Sequence, residues 1–388
     1  MIEKALVGSK KYWLWVFSLM VLAGIGLYFY LKQFHFGLGI TGMSRDVSWG
    51  LYIGQFTFLV GVAASAVMVV LPYYLHNHKA FAKMTILGEF LAIASVIMCL
   101  LFIFVDMGQP TRILNVILHP SPNSVLFWDM IVLNGYLFLN LLIGWTNLSA
   151  EYKGVPHPKW LKPFIYISIP WAISIHTVTA FIYAGLPGRH FWLTAILAAR
   201  FLASAFAGGP ALLILLALIV RRVSKFDPGK EAIFGLAKII TYAMIANVFF
   251  LGLELFTAFY SGIPGHIHSF EYLYGGGRLT TVMWLSATLA AFSLILLINP
   301  KTRNNERWLI FSCCCVFVSL WIEKGFGLIV GGFIPNPLGR ITEYWPSLPE
   351  IFIVLGVWAI GGLIITGLYK IAVGVREDLK IENLKIED

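Results

Sequence analysis

The chain has 388 residues, 59% hydrophobic and only 12% charged, with a mean hydropathy of +0.81. Soluble domains carry roughly 25% charged residues, so a water-soluble globule is excluded and a multi-pass membrane protein is expected. The net charge of +9 sits on short loops, as topology-setting lysines and arginines do, so no nucleic-acid surface is expected. Cys99 and the run Cys313, Cys314, Cys315 lie in apolar segments without a CxxC pair or Cys/His spacing. They read as small packing residues, and no metal centre is expected in this chain.

Ten apolar stretches reach the roughly 20 residues that cross a bilayer. They are 12–31, 50–75, 84–105, 125–148, 163–185, 191–220, 232–260, 278–298, 307–330 and 350–373. The first follows Lys4, Lys10 and Lys11, but its apolar run is too long for a signal peptide and no small-residue cleavage site follows, so it reads as an anchor. Nineteen Lys and Arg fall on the loops that share a side with the termini and six on the other side. That asymmetry predicts cytoplasmic termini in the cell membrane, with 374–388 as a short cytoplasmic tail. The longer loops 32–49, 106–124, 261–277 and 331–349 would then lie outside, a docking surface for a partner. Phe58–Val70 and Phe201–Leu215 echo each other in Gly, Ala and Ser, which permit close helix packing. The expected fold is all-α: a flanking helix 12–31, four-helix bundles at 50–185 and 191–330, and a flanking helix 350–373.

Ionisable groups inside a bilayer are costly and are functional-site hypotheses by default. Helix rise places Gln55 about 8 Å, Asp129 about 6 Å and His176 about 13 Å below the outer ends of their spans, and Glu89 about 8 Å above the inner end of its own. With Trp49 and Tyr52 they suggest an outer pocket holding donors, acceptors and aromatics. That combination suits a quinone, whose two ring oxygens need hydrogen-bonding partners, one of them able to exchange protons. The plainer readings are an interfacial aromatic belt for Trp49 and Tyr52, interhelical glue for Gln55, a satisfied core histidine for His176 and a partly hydrated Asp129. In the second bundle, Glu254 and Lys324 have similar depths and are expected to pair. Arg200, read near mid-depth, is expected to face Glu89 or Glu254 or to line a hydrated proton path. Of nine histidines only His176 lies well inside a span, so a bis-histidine haem is not expected, and electrons would come from another subunit.

The segment Asp106-Met-Gly-Gln-Pro-Thr-Arg112, followed by His119-Pro-Ser-Pro-Asn-Ser124, resembles the DxGxPxR…PxPxS loop of the NrfD/PsrC-like membrane subunits. Glu323-Lys-Gly325, Pro335-Asn-Pro-Leu-Gly339, Tyr344-Trp-Pro346 and Glu350 resemble the family's ten-helix branch, most of all the sulfite-reduction-associated DsrP. The resemblance covers nearly the whole chain. It implies a haem-free subunit without its own iron–sulfur cluster that exchanges electrons between menaquinone and an extracytoplasmic ferredoxin-like iron–sulfur subunit, alongside further cytochrome and membrane subunits. It implies Trp49, Tyr52, Gln55, Asp129 and His176 around the quinone. It also implies Glu89 and Arg200, with Glu254, on a proton path, and Asp106, Pro110 and Arg112 at the docking surface. At span two some relatives carry Asn and His where this chain has Tyr52 and Gln55. The alternatives are a secondary transporter, for which repeats and midplane charges are also expected, and a purely structural membrane anchor.

Overall fold

The computed structural model describes the backbone of residues 1–387 and side chains through Glu377; of the expected tail, Asp388 lies outside the described residues. Ten helices are long and apolar enough to cross a membrane. They are α1 (Lys10–Phe36), α2 (Leu51–Tyr74), α3 (Lys79–Asp106), α4 (Val125–Tyr152), α5 (Leu161–Ala184), α6 (Ile196–Val223), α7 (Lys230–Tyr260), α8 (Thr280–Ile298), α9 (Glu306–Phe333) and α10 (Leu348–Glu377). The last helix runs on through Glu387. There is no strand among the described residues. The chain is an all-α polytopic membrane protein, as its composition predicts.

Burial sorts the helices into an inner and an outer set. In their most apolar windows α2, α3, α6 and α9 are 83%, 78%, 72% and 78% buried, whereas none of the other six exceeds 39%. The outer helices carry lipid-facing apolar side chains that water would not tolerate. Helix α2 packs on α3, α6 and α9, and α3 packs on α4. Helix α4 packs on α5, α6 on α7, and α8 on α9. Helices α1 and α10 pair with each other, and α10 lies against α3. Gly26 and Gly356 let the two flanking backbones touch, since a Cβ on Gly26 would lie 2.6 Å from Gly356 Cα.

The two echoing segments meet at the centre of the molecule. Helix α2 breaks at Ala64, whose N–H turns back to Gly61 O at 3.2 Å. The break rests on α6 at Gly209, where a Cβ would stand 2.9 Å from Ser65 N and 3.0 Å from Val62 O. Helix α9 widens into a π-helical stretch at Glu323–Val330. There Gly54 of α2 approaches so closely that its Cβ would lie 2.9 Å from Gly325 Cα. Broken and π-widened helices in a bilayer are tolerated only where protein covers them, and they gather at functional sites.

The termini and the connections 75–78, 153–160, 224–229 and 299–305 share one face, hereafter the terminal face. The longer connections form the opposite, loop face, and they are ordered. Tyr344 is fully buried; its hydroxyl accepts from Leu51 N at 2.7 Å and donates to Glu350 Oε1 at 2.8 Å. Burial and the neighbouring Glu350 push the phenol's pKa well up, so it stays a donor. Glu350 Oε2 accepts from Gly42 N at 2.6 Å and Ser347 N at 2.8 Å. Arg189 donates to Phe333 O at 3.1 Å and Asp46 O at 3.3 Å. One hydroxyl thus ties the start of α2 to the loop before α10. Tyr344→Phe leaves a buried N–H and a carboxylate oxygen without it, and is expected to cost about 1–3 kcal/mol. A lowered thermal midpoint of the purified protein measures this; an unchanged midpoint would show that the hydroxyl is dispensable.

Candidate functional site

The site is built on one stripe of α5. His176, Thr179 and Tyr183 stand at i, i+3 and i+7, so they share a face. All three are fully buried. Thr179 Oγ1 donates to Asp129 Oδ1 of α4 at 2.8 Å. Thr57 Oγ1 of α2 donates to Ile53 O at 2.7 Å, which leaves the Tyr183 hydroxyl to donate to Thr57 at 2.5 Å. His176 has no hydrogen-bond partner on either ring nitrogen among the described residues. An orphaned buried imidazole is expensive and rare.

Above the stripe, on the loop-face side, Trp49 meets Tyr183 edge-on at 5.8 Å and stacks on Trp192 at 6.0 Å. Phe333 stands edge-on to both tryptophans. Trp192 Nε1 donates to Leu328 O at 2.7 Å, which fixes this aromatic roof to the π-helical part of α9.

Across α2 from the stripe lies Lys324. Its Nζ donates to Phe201 O at 3.5 Å and sits 4.5 Å from the centre of the Phe201 ring. That ring lies 5.8 Å from the Tyr183 ring. Gly61 makes the room, since a Cβ there would be 3.3 Å from Nζ.

The expected Glu254–Lys324 pair is not what forms. Arg200 takes both carboxylates, with one guanidinium nitrogen on Glu254 Oε2 and the other on Glu323 Oε1. Asn247 Nδ2 donates to Glu323 Oε2 at 3.5 Å. The planar fork of arginine can serve two acids at once, whereas an ammonium on the far side of the π turn cannot reach them. Helix α6 begins at Ile196 and not at 191, because His190–Trp192 forms a separate turn. Arg200 therefore lies one turn inside the loop-face end of its helix and not at mid-depth. A cavity of about 60 Å³ reaches Glu254 past Thr194, Thr257 and His266, room for about two waters.

The five side chains expected around one pocket divide into two groups. Trp49, Asp129 and His176 gather on the α4–α5 side. Tyr52 and Gln55 point the other way: Tyr52 donates to Gln33 Oε1 of α1 at 2.6 Å. Gln55 Oε1 accepts from Trp321 Nε1 of α9 at 2.8 Å and Trp358 Nε1 of α10 at 2.9 Å. Two residues turn a helix by about 200°, so Gln55 and Thr57 cannot share a face. Thr57, Thr179 and Tyr183 were missed, and Lys324 was read only as a partner of Glu254; a search along α5 at helical spacing from His176 would have found Thr179 and Tyr183.

Glu89 stands apart in the terminal half of α3. It is 1% exposed, and both its oxygens lack a partner among the described residues. It does not meet Arg200. Asp106 closes α3 with Oδ1 enclosed and unpartnered, while Pro110 and Arg112 form a short turn at the surface of the loop face. Among the described residues no three of His, Cys, Asp and Glu converge as metal ligands would.

Ten spans around a buried line of ionisable and hydroxyl groups define a polytopic membrane protein. The sequence model of the family "Polysulphide reductase, NrfD" matches residues 39–335, and the chain belongs to that family. It is 26% identical to a protein of Halobacterium salinarum provisionally named as a membrane subunit of dimethyl sulfoxide reductase, over 91% of this chain and 89% of that one. It is 23% identical to an Hdr-like menaquinol oxidoreductase integral membrane subunit of Archaeoglobus fulgidus, over 92% of each. It is 20% identical to a menaquinone reductase integral membrane subunit of Nitratidesulfovibrio vulgaris, over 93% of this chain and 91% of that one.

Proposed function

We propose that this chain is the quinone-reactive membrane subunit of a respiratory redox complex. It exchanges electrons between menaquinone or menaquinol and an iron–sulfur subunit seated on the loop face, with the termini in the cytoplasm of a cell-membrane protein. The observation that carries the reading is His176, fully buried with both ring nitrogens unpartnered among the described residues, one helical turn from the Thr179 that binds Asp129. The names of the relatives from Archaeoglobus and Nitratidesulfovibrio support menaquinone as the substrate. The resemblance of Glu323–Gly325, Pro335–Gly339, Tyr344–Pro346 and Glu350 to the ten-helix branch supports a place in sulfur metabolism and the wider set of cytochrome and membrane partners.

A quinone supplies two-electron, two-proton chemistry at its ring oxygens. The residues present fit that need. His176 can give or take a proton at a ring nitrogen, and Asp129, held by Thr179, is the neighbouring acid. Lys324, whose ammonium lies against the Phe201 ring beside Tyr183, offers positive charge where negative charge develops. Trp49, Tyr183 and Trp192 exclude water from above. Tyr52 and Gln55 hold α2 against α1, α9 and α10, so their part is to position that helix. Arg200 and Glu254 belong to a proton route toward the loop face, and Glu89 to one toward the terminal face. On the loop face Pro110 and Arg112 lie beside exposed Leu114, Ile117 and Leu118, a mixed polar and apolar patch suited to a partner, with Asp106 at the end of α3 leading into it. The division into bundles at 50–185 and 191–330 puts the quinone residues mainly in the first and the Arg200 cluster in the second.

The assembled complex is expected to carry menaquinone extractable in organic solvent, and to reduce its iron–sulfur subunit with menaquinol only when this chain is present. Solute uptake driven by the isolated chain, or undiminished quinol oxidation by a complex lacking it, would refute the proposal.

A further inference from the structure

On the terminal face, far from the residues above, a cavity of about 380 Å³ opens between the end of α2, the start of α3 and the start of α5. Tyr73, Tyr74, Asn77, Lys79, Lys162 and Tyr166 line it, with Ile165 at its floor. Its chemistry is one-sided: two ammonium groups, three phenols and an amide, with no carboxylate among the lining residues. Two arginines of this face are paired. Arg221 holds Glu306 through two hydrogen bonds of 3.0 and 2.5 Å, and Arg376 holds Glu151 through two of 2.9 Å. Lys79 and Lys162 meet no carboxylate among the described residues. Asn77 sits in the left-handed region with φ 50°, which turns the chain sharply around the cavity mouth.

Two lysines that converge unpaired, ringed by hydroxyl donors, are suited to a phosphate group, whose oxygens accept charge-assisted hydrogen bonds. The surroundings point to a lipid as the source. Beyond the mouth, α5 presents Tyr166, Ile167 and Ile173 outward and exposed, an apolar face along which acyl chains can lie. Tyrosine and lysine at the end of a span occupy headgroup depth, and basic pockets between spans on one leaflet recognise anionic headgroups.

We propose that this cavity binds the phosphodiester headgroup of an anionic phospholipid, held between Lys79 and Lys162 with the tyrosine hydroxyls as further donors. The lipid bridges α2, α3 and α5 at the terminal face. The proposal stands on the cavity and its charge and does not depend on the quinone reading.

Native mass spectrometry of the full chain, titrated with phosphatidylglycerol and with phosphatidylcholine, tests it. The double variant Lys79→Gln/Lys162→Gln is expected to bind phosphatidylglycerol about tenfold more weakly. The control Lys83→Gln/Lys159→Gln removes the same charge from the same face outside the cavity and should stay within about twofold of the wild type. Phosphatidylcholine should bind weakly to all three. Equal losses in both double variants would reduce the effect to net charge and overturn the site. So would no loss in either. If inorganic phosphate bound as tightly as phosphatidylglycerol and displaced it, the cavity would be a free-anion site, and the lipid assignment would fall.

Discussion

Replacing His176 with phenylalanine is expected to lower menaquinol-dependent reduction of the iron–sulfur partner by about a hundredfold or more, with no loss of thermal stability. The two halves of this expectation come from one observation. His176 is fully buried, and neither ring nitrogen has a partner among the described residues. A buried polar group without a hydrogen bond costs about 1–3 kcal/mol. Phenylalanine keeps most of the ring volume and removes that cost, so the variant should melt at or above the wild-type temperature. A histidine that only filled space would lose nothing in activity by the same change. His176→Gln keeps a donor and an acceptor but cannot exchange a proton near neutral pH, so it should stay as inactive as the phenylalanine variant. Full activity in either variant would remove His176 from the chemistry and leave Asp129 without its proposed partner. The measurement is the initial rate of partner reduction in the assembled complex, with the thermal midpoint taken on the same preparation.

The second large effect concerns Arg200. Its guanidinium is the shared partner of Glu254 and Glu323 on two other helices, and all three groups are nearly buried. Truncation to leucine leaves two carboxylates in an apolar interior with Asn247 as their remaining polar neighbour. Removing one member of a buried ionic cluster costs about 3–5 kcal/mol, because the survivors are left uncompensated. Arg200→Leu should therefore lower the thermal midpoint sharply or prevent accumulation of the protein. The triple variant Arg200→Leu/Glu254→Gln/Glu323→Gln removes the charges together and should recover most of the stability, since neutral amides can be buried far more cheaply than stranded carboxylates. Stability recovered without activity would separate the structural task of the cluster from its proposed proton task. An Arg200→Leu protein as stable as the wild type would contradict the bridging arrangement.

Much of the fold was legible because lipid is a simple solvent. A bilayer demands about 20 apolar residues per crossing, so ten spans could be counted from hydropathy, and the family could be recognised from the loop after α3. The errors at helix ends have local causes. The 3₁₀ turn at His190–Trp192 delays the start of α6, and Gly37, at φ 73°, ends α1 five residues beyond its expected end. His176 and Asp129 were also legible, because a polar residue deep in an apolar run announces itself. What surrounds them was not. Thr57, Thr179 and Tyr183 are unremarkable in sequence and matter only because α2, α4 and α5 bring their hydroxyls together.

By itself, the sequence determined the number of crossings, the all-α class, the family and which costly groups lie within the bilayer, since each follows from composition and local pattern. Only the tertiary structure decided partners. Arg200 could have met Glu89 or Glu254, and Lys324 could have met Glu254. Depth along a helix is a local quantity, but direction around it and the identity of the facing helix are not. At the π turn Glu323–Val330, Glu323 turns to Arg200 while the next residue, Lys324, turns its ammonium to Phe201. Gln55 turns to the tryptophans of α9 and α10, and His176 faces an interior in which no described protein group answers it.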